Sequence, residues 1–180
     1  VAVDNGGTVY GDKSSFAGGS ASKTGTVSFW FYVDEDSWPT GNKRILDLRS
    51  TGVSVLQVGT SFNAGRLNFS WRNAANSSIA GRDTNANIFS VRTWYHILLS
   101  YDLANLSVQI YMTPAGGTES VVPIANSSTS NDFVGAIDRA GVLGLVTGSS
   151  VFDGFMSDLC VDTQHALAFS VEGNRRHFVD

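Results

Sequence analysis

Residues Trp94 to Met112 read WYHILLSYDLANLSVQIYM, two runs rich in aromatic and branched residues separated by Asp102-Leu103-Ala104-Asn105. In the first run Ile97, Leu99 and Tyr101 fall on one face and His96, Leu98 and Ser100 on the other. In the second, Leu106, Val108, Ile110 and Met112 alternate with Ser107, Gln109 and Tyr111. A period of two predicts strands, and the polar residues between the runs predict an antiparallel hairpin. Asp and Asn suit its turn because their side chains bond nearby backbone groups.

The same pattern recurs on both sides of this hairpin. In TGTVSFWFYVD, Val27, Phe29, Phe31 and Val33 share one face, and Ser28, Trp30 and Tyr32 the other. Apolar material on both faces predicts a central strand. Arg44 to Arg49 and Val53 to Val58 read as a hairpin around Ser50-Thr51-Gly52. The run RLNFSWR turns Leu67, Phe69 and Trp71 inward, with Asn68, Ser70 and Arg72 outward. Shorter strands are expected at Thr8 to Tyr10, Ser78 to Ala80 (an edge), Val121 to Ile124, Gly141 to Thr147 and Phe152 to Asp162. Asn126 to Asp132 reads as a loop, and Ser170 can cap a short helix over roughly 171–178 with Glu172 in its first turn. About ten short strands with no helical period elsewhere predict an all-β, two-sheet antiparallel sandwich. Phe29, Phe69, Leu99 and Val108 should meet in its dry layer.

Composition narrows the function classes. The chain has 180 residues, enough for one domain spanning 1–180 with a real core. Charged residues make up 16%, net charge is -4, and nine of the twelve basic residues are scattered arginines, which argues against a nucleic-acid footprint. No apolar run reaches membrane-span length, so no membrane insertion is expected. The start, VAVDNGG, has neither a charged nor an apolar leader region, so no signal peptide is expected. Cys160 is alone and cannot form an intrachain disulfide; its strand position predicts a small buried hydrophobe. Asn68, Asn76, Asn105 and Asn126 match the Asn-x-Ser/Thr acceptor pattern, which a chain rich in Asn and Ser produces by chance.

The order of TVSFWFYVD, RILDL, RLNFSW, WYHILLSYDLANLSVQIYM and FDGFMSDLCVD resembles the laminin-G-like branch of the concanavalin A-like lectin and glucanase jelly rolls. The tail FSVEGNRRHFVD is similar to a variant of this domain found in phage and prophage virion proteins. This resemblance implies a concanavalin A-like jelly roll with a short C-terminal helix, acting as a non-catalytic recognition, attachment or decoration module on a virion surface. It also implies partners among other virion proteins or cell-surface glycans, and multiple copies or a homo-oligomer. The alternative it allows is an extracellular carbohydrate-binding lectin domain, with calcium as an optional cofactor.

Catalytic patterns are missing. Glucanases of this superfamily carry Glu-x-Asp-x-x-Glu on a strand, whereas Glu35, Glu119 and Glu172 lie far apart here. Asp158 and Asp162 have strand spacing but read as turn and strand-end residues. No Gly-x-Ser-x-Gly elbow is present, and His96 reads as a hydrogen-bonded sheet residue rather than a base.

Two binding patterns remain. If the alternation holds, Trp30, Tyr32, Arg72, His96, Gln109 and Tyr111 point together away from the core, a set suited to a sugar's apolar face and hydroxyls. The competing reading is that Trp30 and Tyr32 are covered by the N-terminal segment or the 73–87 excursion in a second small core. Jelly rolls of the family hold calcium through Asp and Asn oxygens in rim loops, which makes Asp83 with Asn85 the metal candidate. The acidic Asp34-Glu35-Asp36 run is a second oxygen cluster, and Trp38 beside Pro39 a separate candidate contact.

Overall fold

In the computed structural model the chain is described over residues 2–3, 11–13, 20–50, 53–60, 65–142 and 153–176. Alternation becomes strand almost wherever β-branched and aromatic residues are dense. In chain order the strands are β1 (Ala2–Val3), β2 (Gly11–Lys13), β3 (Thr24–Val33), β4 (Arg44–Ser50), β5 (Val53–Thr60), β6 (Leu67–Arg72) and β7 (Ser78–Thr84). There follow β8 (Trp94–Asp102), β9 (Ser107–Pro114), β10 (Ser120–Val121), β11 (Ile124–Thr129), β12 (Arg139–Val142), β13 (Gly154–Asp162) and a five-residue helix, α1 (Glu172–Arg176).

These form two antiparallel sheets. The front sheet runs β1-β13-β3-β8-β9-β10 and the back sheet β11-β7-β6-β5-β4-β12-β2. Their inner faces bury one continuous apolar layer containing Phe29, Phe31, Leu99 and Ile110 from the front and Leu56, Val58, Phe69 and Trp71 from the back. Phe29, Phe69 and Leu99 are fully buried there, and Val108 packs against the layer from its margin. The fold is a two-sheet jelly-roll sandwich with one short helix.

The central hairpin forms as its sequence implies, with Ile97 opposite Met112 and Leu99 opposite Ile110. Asp102 Oδ1 accepts from Asn105 N–H across a single 3-10 turn. Leu106 departs from the expected inward row. It closes that turn in the left-handed region (φ 53°) and is 54% exposed. Gly25, on β3, faces the Tyr101 ring; a Cβ there would lie 2.4 Å from the Tyr101 hydroxyl oxygen, so a side chain would force the ring away.

Other expectations need correction. The short edge strand at Ser78 to Ala80 is the seven-residue β7, and it is interior because β11 pairs beyond it. The segment assigned to a loop, Asn126 to Asp132, contributes Asn126 to Thr129 to β11. An exposed edge strand needs only backbone pairing on one side, so its polar composition hid it. Val121 and Ile124 belong to different strands in different sheets, with Val122-Pro123 between them. Cys160 is exposed rather than buried. It sits beyond the bulge that puts Asp158 at φ 52°, where β1 no longer covers β13. The strand expected at Thr8 to Tyr10 lies outside the described residues, as do Phe152 and the part of the Gly141 to Thr147 strand beyond Val142. The helix starts at Glu172, and 177–178 also lie outside.

Leu99→Ala removes a fully buried side chain and should cost about 2–5 kcal/mol in urea unfolding. Leu106→Ala, at the exposed turn, should stay within about 0.5 kcal/mol of wild type. Equal losses at both positions would contradict this division of inside from outside.

Candidate functional site

The outer face of the front sheet can be read row by row from the strand registers. The first row carries Phe155, Tyr32 and Trp94, and the second Ser157, Trp30, His96 and Thr113. The third carries Cys160, Ser28, Leu98 and Tyr111, and the fourth Asp162, Thr26, Ser100 and Gln109. Asp102 and Ser107 close the hairpin end. One sheet surface therefore presents an aromatic end and a polar end.

At the aromatic end Tyr32, Trp94 and Phe155 form a triangle, with ring centroids 5.5, 5.7 and 6.3 Å apart. All three, and Trp30, are half-buried, leaving ring surface open to solvent. Trp94 and Phe155 were not singled out from sequence, although the alternation contains the signal. Trp94 stands two residues before His96, and Phe155 pairs with Tyr32.

The polar end is partly roofed by the segment that follows β13. Asp162 Oδ1 accepts from the backbone N–H groups of Gln164 and His165, turning the chain back over the sheet. Thr24 and Thr26 donate their hydroxyls to the carbonyls of Gln164 and His165 at 2.8 and 2.9 Å. Gln109 Oε1 accepts from Phe169 N–H at 3.1 Å. The fully buried Phe169 ring packs edge-on to Tyr111, whose other contact is the Arg175 guanidinium, 4.9 Å from its ring centre. Arg175 also pairs with Glu119 and donates to the Phe169 carbonyl. The strap thus buries Phe169 against Tyr111, away from Trp30 and Tyr32. Of the two segments expected to cover those rings, the 73–87 excursion contributes β7 to the back sheet, and most of the N-terminal segment lies outside the described residues.

Between strap and sheet a cleft of about 240 Å³ is left, lined by Ser100, Asp102, Asn105, Ser107 and Gln109 below and Ala166, Leu167 and Ala168 above.

The six residues expected to share one binding face separate into four groups. Trp30 and Tyr32 share the open aromatic end. Gln109 and Tyr111 share the face but serve the strap. His96 also points outward, yet is only 1% exposed; its Nε2 shares a 2.7 Å hydrogen bond with Ser28 Oγ, and Trp30 lies 5.0 Å away ring to ring. Arg72 is on the other sheet, on β6, bound to the Asn76 carbonyl and Oδ1. Alternation assigns a side chain to the outside of its own sheet but does not say which sheet.

The calcium reading also changes. Asp83 lies within β7 rather than in a rim loop, and its Oδ1 accepts from Asn68 Nδ2 at 2.6 Å. Asn85 follows in an exposed position, its N–H bound to the Pro123 carbonyl. Among the described residues no three His, Cys, Asp or Glu side chains come together in one group. In the acidic run, Asp36 pairs with Arg92, while burial and Asp153 raise the Glu35 carboxyl above its usual range. Trp38 stacks on Phe89 and packs against the core, so it seals the sandwich instead of presenting a free contact.

Burial pulls the His96 imidazole down to about 4, only slightly opposed by Asp158. The unfolded chain, near 6.5, takes up the proton first, so stability falls as pH drops from about 6.5 to 4. The loss assignable to His96 is up to about 3 kcal/mol. Urea midpoints measured across that window should show a shallower slope for His96→Gln than for wild type; parallel slopes would refute the buried neutral state.

No protein-family model matches the sequence, and no curated protein matches it. Solved structures do match the fold. The binding domain of botulinum neurotoxin serotype G superposes with TM-score 0.60 at 10% identity, covering 89% of this chain and 38% of that one. This chain therefore spans well under half the length of the toxin domain. The heptameric SAP-like pentraxin of Limulus polyphemus gives 0.56 at 13% identity, covering 93% and 75%. The CBM40 of Ruminococcus gnavus IT-sialidase, solved with α2,3-sialyllactose, gives 0.55 at 13% identity, covering 88% and 94%. Across these sequence distances the shared property is the two-sheet jelly-roll sandwich.

Proposed function

We propose that this chain is a non-catalytic recognition module that binds glycan on the outer face of its front sheet. The observation that carries the reading is the half-open triangle of Tyr32, Trp94 and Phe155, supported by rigid strands on a fixed core. Ring faces of this kind match the apolar C–H face of a pyranose, and side chains on strands need little reordering on binding. Lectin-like domains of the same architecture, including one named as a carbohydrate-binding module and solved with a sialylated sugar, support the choice of ligand class.

The absence of catalysis in this reading rests on what the face presents. Retaining glycoside hydrolysis needs two carboxyl groups about 5–5.5 Å apart. Among the described residues Asp102 is the only carboxylate lining the cleft, and it is engaged with Asn105. His96 is buried and held neutral beside Ser28 at neutral pH.

A shallow face gives weak single contacts, so the setting that suits it displays many copies, where linked sites raise avidity. A virion surface, as the tail resemblance implies, and an extracellular face both meet that requirement, with cell-surface glycan as the partner. Neither adds a demand for a membrane span, and no helix among the described residues is long and apolar enough to cross a membrane.

On a glycan array presenting the protein multivalently, wild type should give saturable signal. Trp94→Ala and Tyr32→Ala should each lower affinity for the best glycan by about tenfold or more while leaving the unfolding midpoint cooperative. No signal at any glycan, or undiminished binding by both variants, defeats the proposal.

A further inference from the structure

The aromatic triangle does not use the cleft under the C-terminal strap, which lies three rows away on the same face. We infer that this cleft is a separate subsite for one neutral sugar ring and that it rejects acidic sugars. The inference rests on the glycan-binding reading above.

Size sets the first limit. At about 240 Å³ the cleft is below the roughly 300–1,000 Å³ of pockets for drug-sized ligands, so it suits a single ring rather than an oligosaccharide. Lining chemistry sets the second. The floor presents the Ser100 and Ser107 hydroxyls and the side-chain amides of Asn105 and Gln109, while Ala166, Leu167 and Ala168 form an aliphatic roof. A polar floor facing an apolar roof matches a pyranose, whose hydroxyl rim and C–H face make the same division. Gln109 Oε1 already accepts one bond, from Phe169 N–H, and its Nε2 can donate to a ligand. Asn105 Nδ2 donates one hydrogen to Asp102 Oδ2, which leaves its second hydrogen as a donor and its Oδ1 as an acceptor.

Charge sets the third limit. Among the described residues Asp102 is the only ionisable side chain in the lining, and no Lys or Arg there offsets it. On the strap and the helix after it, Arg175 is committed to Glu119 and the Phe169 carbonyl, and His165 to Asp162. A carboxylate-bearing sugar would therefore meet one negative charge and no counter-charge. A neutral hexose would meet only hydrogen-bonding groups.

Amide chemical shifts of labelled protein, followed in separate titrations with galactose, glucose, mannose and glucuronate, test this directly. At least one neutral hexose should produce saturable shifts at Ser100, Ser107, Gln109 and Ala166 to Ala168, with glucuronate producing none at equal concentration. Ser107→Tyr fills the cleft from a strand position and should abolish those shifts while leaving the array signal that depends on Trp94. Asp102→Asn keeps an acceptor for the turn and should narrow the hexose-to-glucuronate ratio by about two- to fivefold. Trp94→Ala should leave the cleft shifts intact. If no neutral hexose shifts these amides up to tens of millimolar, or glucuronate shifts them as strongly, the subsite is refuted whatever the array shows. An array signal lost in Trp94→Ala together with absent cleft shifts refutes the subsite alone. Cleft shifts with no array signal at the aromatic end refute the platform alone.

Discussion

The edge-to-face contact between Trp71 of the back sheet and Tyr101 of the front sheet, ring centres 6.1 Å apart, spans the gap between the two layers. Both rings are shielded from solvent, and bulky rings at that depth fix how closely the sheets approach. Gly25 leaves the room in which the Tyr101 ring lies. The Trp71 indole nitrogen has no hydrogen-bond partner among the described residues, a cost of about 1–3 kcal/mol that the surrounding packing must offset. Burial also drives the Tyr101 hydroxyl well above its usual range, so it stays protonated and neutral in the layer. With the layer filled in this way, the opposite side of β3 and β8 is held flat enough for surface chemistry.

Much of that arrangement was written in alternation. Each inner row of the central hairpin and of β3 is dense in apolar residues, and a one-residue slip would expose all of them. The inside and outside of a strand are local properties, so the sequence revealed them. Membership in a sheet is not local. Arg72 and Trp30 both point outward from strands with similar patterns, yet they lie on opposite sides of the molecule. The misjudged segments share a different cause. β7 and β11 include polar stretches whose pairing is satisfied by backbone groups, and backbone pairing leaves little trace in residue type.

The candidate site divides in the same way. Trp30 and Tyr32 were legible as outward aromatics, and Trp94 and Phe155 follow the same period once the register between strands is known. The strap was not legible, because Gln164 to Ser170 has no period and its hold on the sheet comes from threonine hydroxyls and a glutamine oxygen. Those contacts explain why Gln109 and Tyr111, apparently suited to a ligand, are occupied from within the chain. His96 shows the related case of a polar residue placed outward and then sealed by Trp30 and Ser28.

The strap and the cleft share walls, which ties their behaviour together. A molecule lodged between Ser107 and Ala168 would touch the sheet and the segment at once, and would hold the segment down as firmly as the segment holds it in. Linkage makes that reciprocal. Occupancy of the cleft and the docking of the C-terminal segment are therefore two readings of one equilibrium.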